Sequence, residues 1–144
     1  MYNGLNAYRE VSVQTASRSK LVVMLYEGAI RFLRESVAAI ETKDFERKRH
    51  AIDRAVAIVQ HLQDTLDMDK GGEVAVNLSR LYSYITSRIF EGSAKPDTAP
   101  LEEALKLLGV LLAAWEEMAN NEGDTAASGI KTQLAATGGF ELHV

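Results

Sequence analysis

The chain has 144 residues, 47% of them apolar, and 20 acidic against 16 basic side chains give a formal net charge of −4 with no cysteine. That length suits one domain. The charge gives no reason to expect nucleic acid or an anionic membrane surface, and without cysteine neither a disulfide framework nor thiolate chemistry is available. The opening "MYNGLNAYREVSVQTASRSK" lacks a basic start followed by an apolar signal core, and no run approaches the ~18 apolar residues of a membrane span, so a cytoplasmic protein is expected.

Both prolines, Pro96 and Pro100, fall in one short stretch, "GSAKPDTAP", which leaves the rest of the chain without a strong helix breaker. The first predicted helix starts at Ser17 as N-cap and repeats Leu21, Leu25, Ala29, Phe32, Leu33, Val37 and Ile40 until "ETKD" interrupts it. Asp44 caps a second, with Ile52, Ala55, Val56, Val59, Leu62 and Leu66 at three-four spacing, ending in the glycine-bearing "DMDKGG". A third runs from Gly72 to about Phe90 on Val74, Leu78, Leu81, Tyr82, Ile85 and Ile89. The fourth is capped by Asp97 or Thr98, tolerates Pro100 in its first turn, and buries Leu101, Leu105, Leu108, Leu111, Leu112, Trp115 and Met118.

No strand pattern competes, and the short connections predict an all-α, antiparallel up-down-up-down four-helix bundle over residues 17–122. Residues 123–144 are small and polar and are read as a flexible tail. Residues 1–16 carry Tyr2, Leu5, Tyr8, Val11 and Val13, too apolar for an ordinary solvated leader, and are expected to pack on the bundle as an N-terminal segment.

Catalytic constellations are hard to find. A di-metal carboxylate bundle needs Glu-x-x-His pairs, but the three histidines, His50, His61 and His143, have no Glu three residues before them. "DMDKGGEVAVNL" places Asp67, Asp69 and Gly72 like a calcium loop, yet Leu78 stands where the bidentate Glu belongs, so a helix-terminating turn is the better reading. His50 in "FERKRHAIDR" resembles the surface histidine of phosphotransfer bundles and supplies the alternative function, although Asp53 would repel an incoming phosphoryl group. Asn77-Leu78-Ser79 matches a glycosylation sequon but lies inside a predicted helix. No phosphate-binding loop or Ser-His-Asp set is present, so neither an enzyme nor a cofactor is expected.

What remains is an apolar excess. The first helix adds Val22, Tyr26 and Ala29 or Ile30 to its core stripe, and the fourth adds Leu107 and Val110. Either a thick core with a homodimer seam absorbs these residues, or they line a groove for an amphipathic helix.

The blocks "LVVMLYEGA", "LDMDKGGE", "NLSRLY" and "LLAAW" resemble, in order and spacing, those of the FliS family of flagellar secretion chaperones, over about Tyr8 to Trp115. The resemblance implies a cytoplasmic bundle that binds the disordered C-terminal segment of flagellin, prevents premature polymerisation and assists export, with an export-gate component as a further partner. On that basis the flagellin-binding surface is expected at Val22, Leu25, Tyr26 and Ala29 of the first helix and Leu78, Leu81, Tyr82 and Ile85 of the third. The N-terminal segment, through Leu5, Tyr8, Val11 and Val13, is expected to cover that surface when it is empty.

Overall fold

The computed structural model of the chain describes residues 18–121, which form four α-helices: α1 Arg18–Glu41, α2 Phe45–Asp64, α3 Met68–Ala94 and α4 Thr98–Asn120. Among the described residues there is no strand. Ser17, the expected first N-cap, lies outside the described residues, as do the N-terminal segment of residues 1–16 and the tail of residues 123–144. Consecutive helices pack on one another and α4 closes back on α1, so the bundle is antiparallel and up-down-up-down, with α1 and α3 on one diagonal.

Three aspartates start three of the helices. Asp44 accepts from the Arg47 backbone N–H at 3.2 Å, Asp67 from Lys70 at 2.9 Å and Asp97 from Ala99 at 3.1 Å, each satisfying a donor that the first helical turn leaves without an internal partner. Helix α1 ends in a Schellman turn in which Asp44 N–H donates to Ala39 O at 2.8 Å and Lys43 N–H to Ile40 O at 3.0 Å. Lys43 occupies its left-handed position, with φ 57°. Because a side chain there is disfavoured and glycine is not, Lys43→Gly should raise stability by about 0.5–1 kcal/mol, read as a higher urea midpoint at unchanged slope. An unchanged or lower midpoint would refute this.

The turn before α3 differs from the sequence reading. Helix α2 already stops at Asp64, with Thr65 as C-cap, so the glycines do not terminate it. Asp67 starts a new turn, closed by Gly71 N–H to Asp67 O at 2.7 Å, and Gly72 then kinks the chain with φ 56° and ψ −137° before α3 continues. Asp67 is therefore a helix cap, and Gly72 serves a kink that only glycine adopts without strain.

The core unites Tyr26, Leu33, Ile52, Val59, Leu62, Tyr82, Ile85, Ile89, Leu101, Leu108 and Trp115 with their smaller neighbours. Burying each large apolar side chain contributes ~1.5–3 kcal/mol. Polar ties set the register at the seams. Between α2 and α3, Gln63 Nε2 lies within 3.1 Å of Ser79 O, Ser79 Oγ and Ser83 Oγ, and Lys48 Nζ donates to Ser93 O at 2.8 Å near the C-terminal end of α3. Glycine permits a close approach at the α3–α4 corner, where a Cβ on Gly92 would stand 2.9 Å from Asp97 O.

Candidate partner-binding surface

The eight residues expected to bind a partner do not form one surface. Val22, Tyr26, Ala29, Tyr82 and Ile85 are at most 3% exposed and belong to the closed core, while Leu25, Leu78 and Leu81 are half-buried. The reason is topological: α1 and α3 are diagonal partners that meet inside the bundle, so residues chosen from both helices face each other instead of solvent. Tyr26 Oη and Tyr82 Oη hydrogen-bond across that diagonal at 2.5 Å, and Trp115 of α4 adds its indole N–H to Tyr26. Burial, above all, pushes both phenols up, Tyr82 to about 12 and Tyr26 further. Both stay protonated at any physiological pH. The N-terminal covering residues Leu5, Tyr8, Val11 and Val13 lie outside the described residues.

Part of the apolar excess that reaches solvent runs along the seam of α3 and α4. Its register is fixed at one end, where Tyr84 Oη donates to Glu103 Oε2 at 2.8 Å and Arg88 Nε to Glu103 Oε1 at 2.5 Å. The hydrogen bond from Tyr84, followed by Arg88, holds the Glu103 carboxyl below the ordinary carboxylate range. Stepping from these positions by three and four residues, α3 presents Leu81, Leu78 and Val74 and α4 presents Leu107, Val110 and Ala114. Leu78, Leu81 and Leu107 are half-buried against the core and Val110 is 65% exposed. An uncharged stripe thus lies beside a polar cluster whose members already satisfy one another, the arrangement suited to an apolar helix face.

The sequence signalled half of this stripe. Leu78 and Leu81 belong to the expected binding set and Leu107 and Val110 to the apolar excess, but nothing in either helix alone tells that the two pairs are neighbours. Tyr84 carried no signal beyond its three-residue spacing from Leu81.

Histidine chemistry gains no support from placement. His50 and His61 are exposed on α2, and among the described residues no group of three His, Cys, Asp or Glu side chains could hold a metal ion. No helix of the described residues is long and apolar enough to cross a membrane.

The described residues form an all-α bundle that leaves an apolar stripe at its α3–α4 seam. Comparison with known proteins specifies the class: the family model of flagellar protein FliS matches residues 1–122, and the chain belongs to the FliS family, that of the flagellar export chaperones. It is 37% identical over 124 residues to the flagellar secretion chaperone FliS of Campylobacter jejuni, covering 85% of this chain and 97% of the relative. It is 35% identical to that of Salmonella typhimurium (81% and 90% covered) and 32% identical to that of Bacillus subtilis (83% and 89% covered). These relatives are named chaperones, which does not favour the phosphotransfer alternative built on His50.

Proposed function

We propose that the protein is a non-enzymatic cytoplasmic chaperone that holds the C-terminal segment of flagellin as an amphipathic helix along the α3–α4 seam. Family membership supports the chaperone role, and the observation that carries the location is Val110, 65% exposed on a helix that also offers half-buried Leu107 beside Leu78 and Leu81. Each ~100 Å² of apolar surface covered contributes ~2.5 kcal/mol, against which ordering a disordered client costs ~2–5 kcal/mol in all. A client bound in this way is withheld from its own polymerisation contacts and is still releasable at export.

Calorimetry with a flagellin C-terminal peptide tests the site. Val110→Asp and Leu81→Asp should each weaken binding by ~2 kcal/mol, about thirtyfold, with the bundle still folded by circular dichroism. Unchanged affinity in both variants sinks the seam assignment, and a wild-type protein that ignores the peptide sinks the client. The same titration addresses the N-terminal segment. If Leu5, Tyr8, Val11 and Val13 cover the apolar surface, removing residues 1–15 preserves or strengthens peptide binding, because an internal competitor is lost. Much weaker binding after that deletion would instead make the segment part of the client site.

A further inference from the structure

We propose that the opposite seam, between α1 and α2, is a second docking surface, fitted to an acidic amphipathic helix and separate from the α3–α4 stripe. Three contacts trace this seam in register. Gly28 meets Ile58, whose Cδ1 would stand 3.2 Å from a Cβ at that glycine; Phe32 meets Arg54; and Glu35 pairs with Arg47 at 3.3 Å. At the end where α1 begins, the seam opens into a depression of about 430 Å³ with Leu21, Val22 and Leu25 on one side and His61 and Thr65 on the other, Arg18 at its edge. One turn along, Met24 lies on the same stripe of α1 as Leu21 and Gly28 and is 58% exposed. The seam therefore offers a pocket and an exposed thioether, both of which accept apolar anchors.

Its charge selects the partner. The guanidinium carbons of Arg31 and Arg54 lie 5.3 and 5.8 Å from the centroid of one ring, Phe32, and among the described residues neither arginine has a carboxylate within ion-pair distance. Of the acids beside these arginines on α1, Glu35 is already engaged by Arg47, and Glu27, one turn before Arg31, forms no ion pair among the described residues. A carboxylate arriving over Phe32 would meet two guanidinium groups held by an aromatic platform, and charge-assisted hydrogen bonds to arginine are about twice as strong as neutral ones. At the α3–α4 seam, by contrast, Arg88 is taken up by Glu91 and Glu103. From Arg18 to Glu35 the seam is about 26 Å long, the length of a helix of about 18 residues. An acidic helix with apolar anchors at one end and carboxylates near Arg31 and Arg54 matches this surface, whatever occupies the other seam.

The test uses the full chain and two synthetic probes: a labelled 18-residue amphipathic peptide with leucines on one face and glutamates flanking them, and its counterpart with every Glu replaced by Lys. Fluorescence anisotropy should show the Glu peptide binding at least tenfold tighter than the Lys peptide, with the preference falling as salt rises. Arg31→Glu with Arg54→Glu should reverse the preference, and Met24→Asp should weaken both peptides. Should the double reversal disturb folding, Arg31→Gln with Arg54→Gln should abolish the preference without reversing it. Val110→Asp should leave both peptides unaffected. The proposal is overturned if neither peptide binds, if the preference survives loss of both arginines, or if Val110→Asp removes binding, which would place the probe on the α3–α4 stripe. It is equally overturned if the seam is filled by a second copy, seen as a dimer that Met24→Asp dissociates, or by the chain's own residues 122–144, seen as Glu-peptide binding that appears only after their removal. Loss of flagellin binding in Val110→Asp is read in a separate titration, so the two proposals fail independently.

Discussion

Truncation of Tyr26 to Ala should cost about 3–5 kcal/mol, the range for deleting a large ring from a closed core, and should unfold a marginally stable bundle. The ring is fully buried, lies 6.4 Å from the Tyr82 ring and 6.5 Å from that of Trp115, and so joins α1, α3 and α4 at the centre of the bundle. The hydroxyls make the sharper experiment. In Tyr26→Phe the Tyr82 hydroxyl loses its partner and Trp115 loses its bond to Tyr26, whereas in Tyr82→Phe the Tyr26 hydroxyl retains Trp115. An unsatisfied buried polar group costs about 1–3 kcal/mol, so Tyr26→Phe should be the more damaging single change. The double variant should be hardly worse than Tyr26→Phe alone, because removing the second hydroxyl removes a group already orphaned. Additive losses in urea denaturation would show that the two hydroxyls do not interact in solution.

The second large effect is alkaline unfolding. Burial raises both core phenols above their ordinary value of 10, with Tyr82 at about 12 and Tyr26 higher still. Their contribution to stability is therefore complete below pH 10 and is lost above it, because the unfolded chain releases two protons that the folded core retains. At ~1.4 kcal/mol per pH unit for each phenol, roughly 5 kcal/mol is gone by pH 12, comparable with the whole stability of a small domain. Circular dichroism and phenolate absorbance recorded together should show the buried pair ionising only as the helices melt. Tyr26→Phe with Tyr82→Phe should move that transition to higher pH relative to each variant's own neutral-pH stability. Ionisation of every tyrosine near pH 10 in a still-folded protein would contradict the burial.

The end near Glu103 behaves in the opposite sense on acidification. Its depressed carboxyl favours the folded state above the ordinary carboxylate range and loses that contribution as pH falls, but Tyr84 and Arg88 are too exposed there for the effect to rival the core pair.

The sequence by itself determined the four helices and their order. Three-four spacing needs only the local geometry of one helix, and the aspartates at 44 and 97 announce starts by chemistry confined to three residues. It also named nearly all of the core, since Leu33, Val59, Leu62, Ile85, Leu108 and Trp115 lie on the stripes that periodicity selects. Family blocks such as "LVVMLYEGA" and "NLSRLY" were legible for the same reason, being linear strings. Only the tertiary structure decided which stripes meet. Periodicity marks Val22, Tyr26, Tyr82 and Ile85 as apolar without saying whether solvent, a partner or another helix lies opposite, and that depends on the closure of α4 onto α1, which turns α1 and α3 inward across the diagonal. The same closure leaves Leu81 and Val110 at one seam and Met24, Phe32 and Arg54 at the other, so each surface is assembled from residues far apart in the chain, whose adjacency no local pattern encodes.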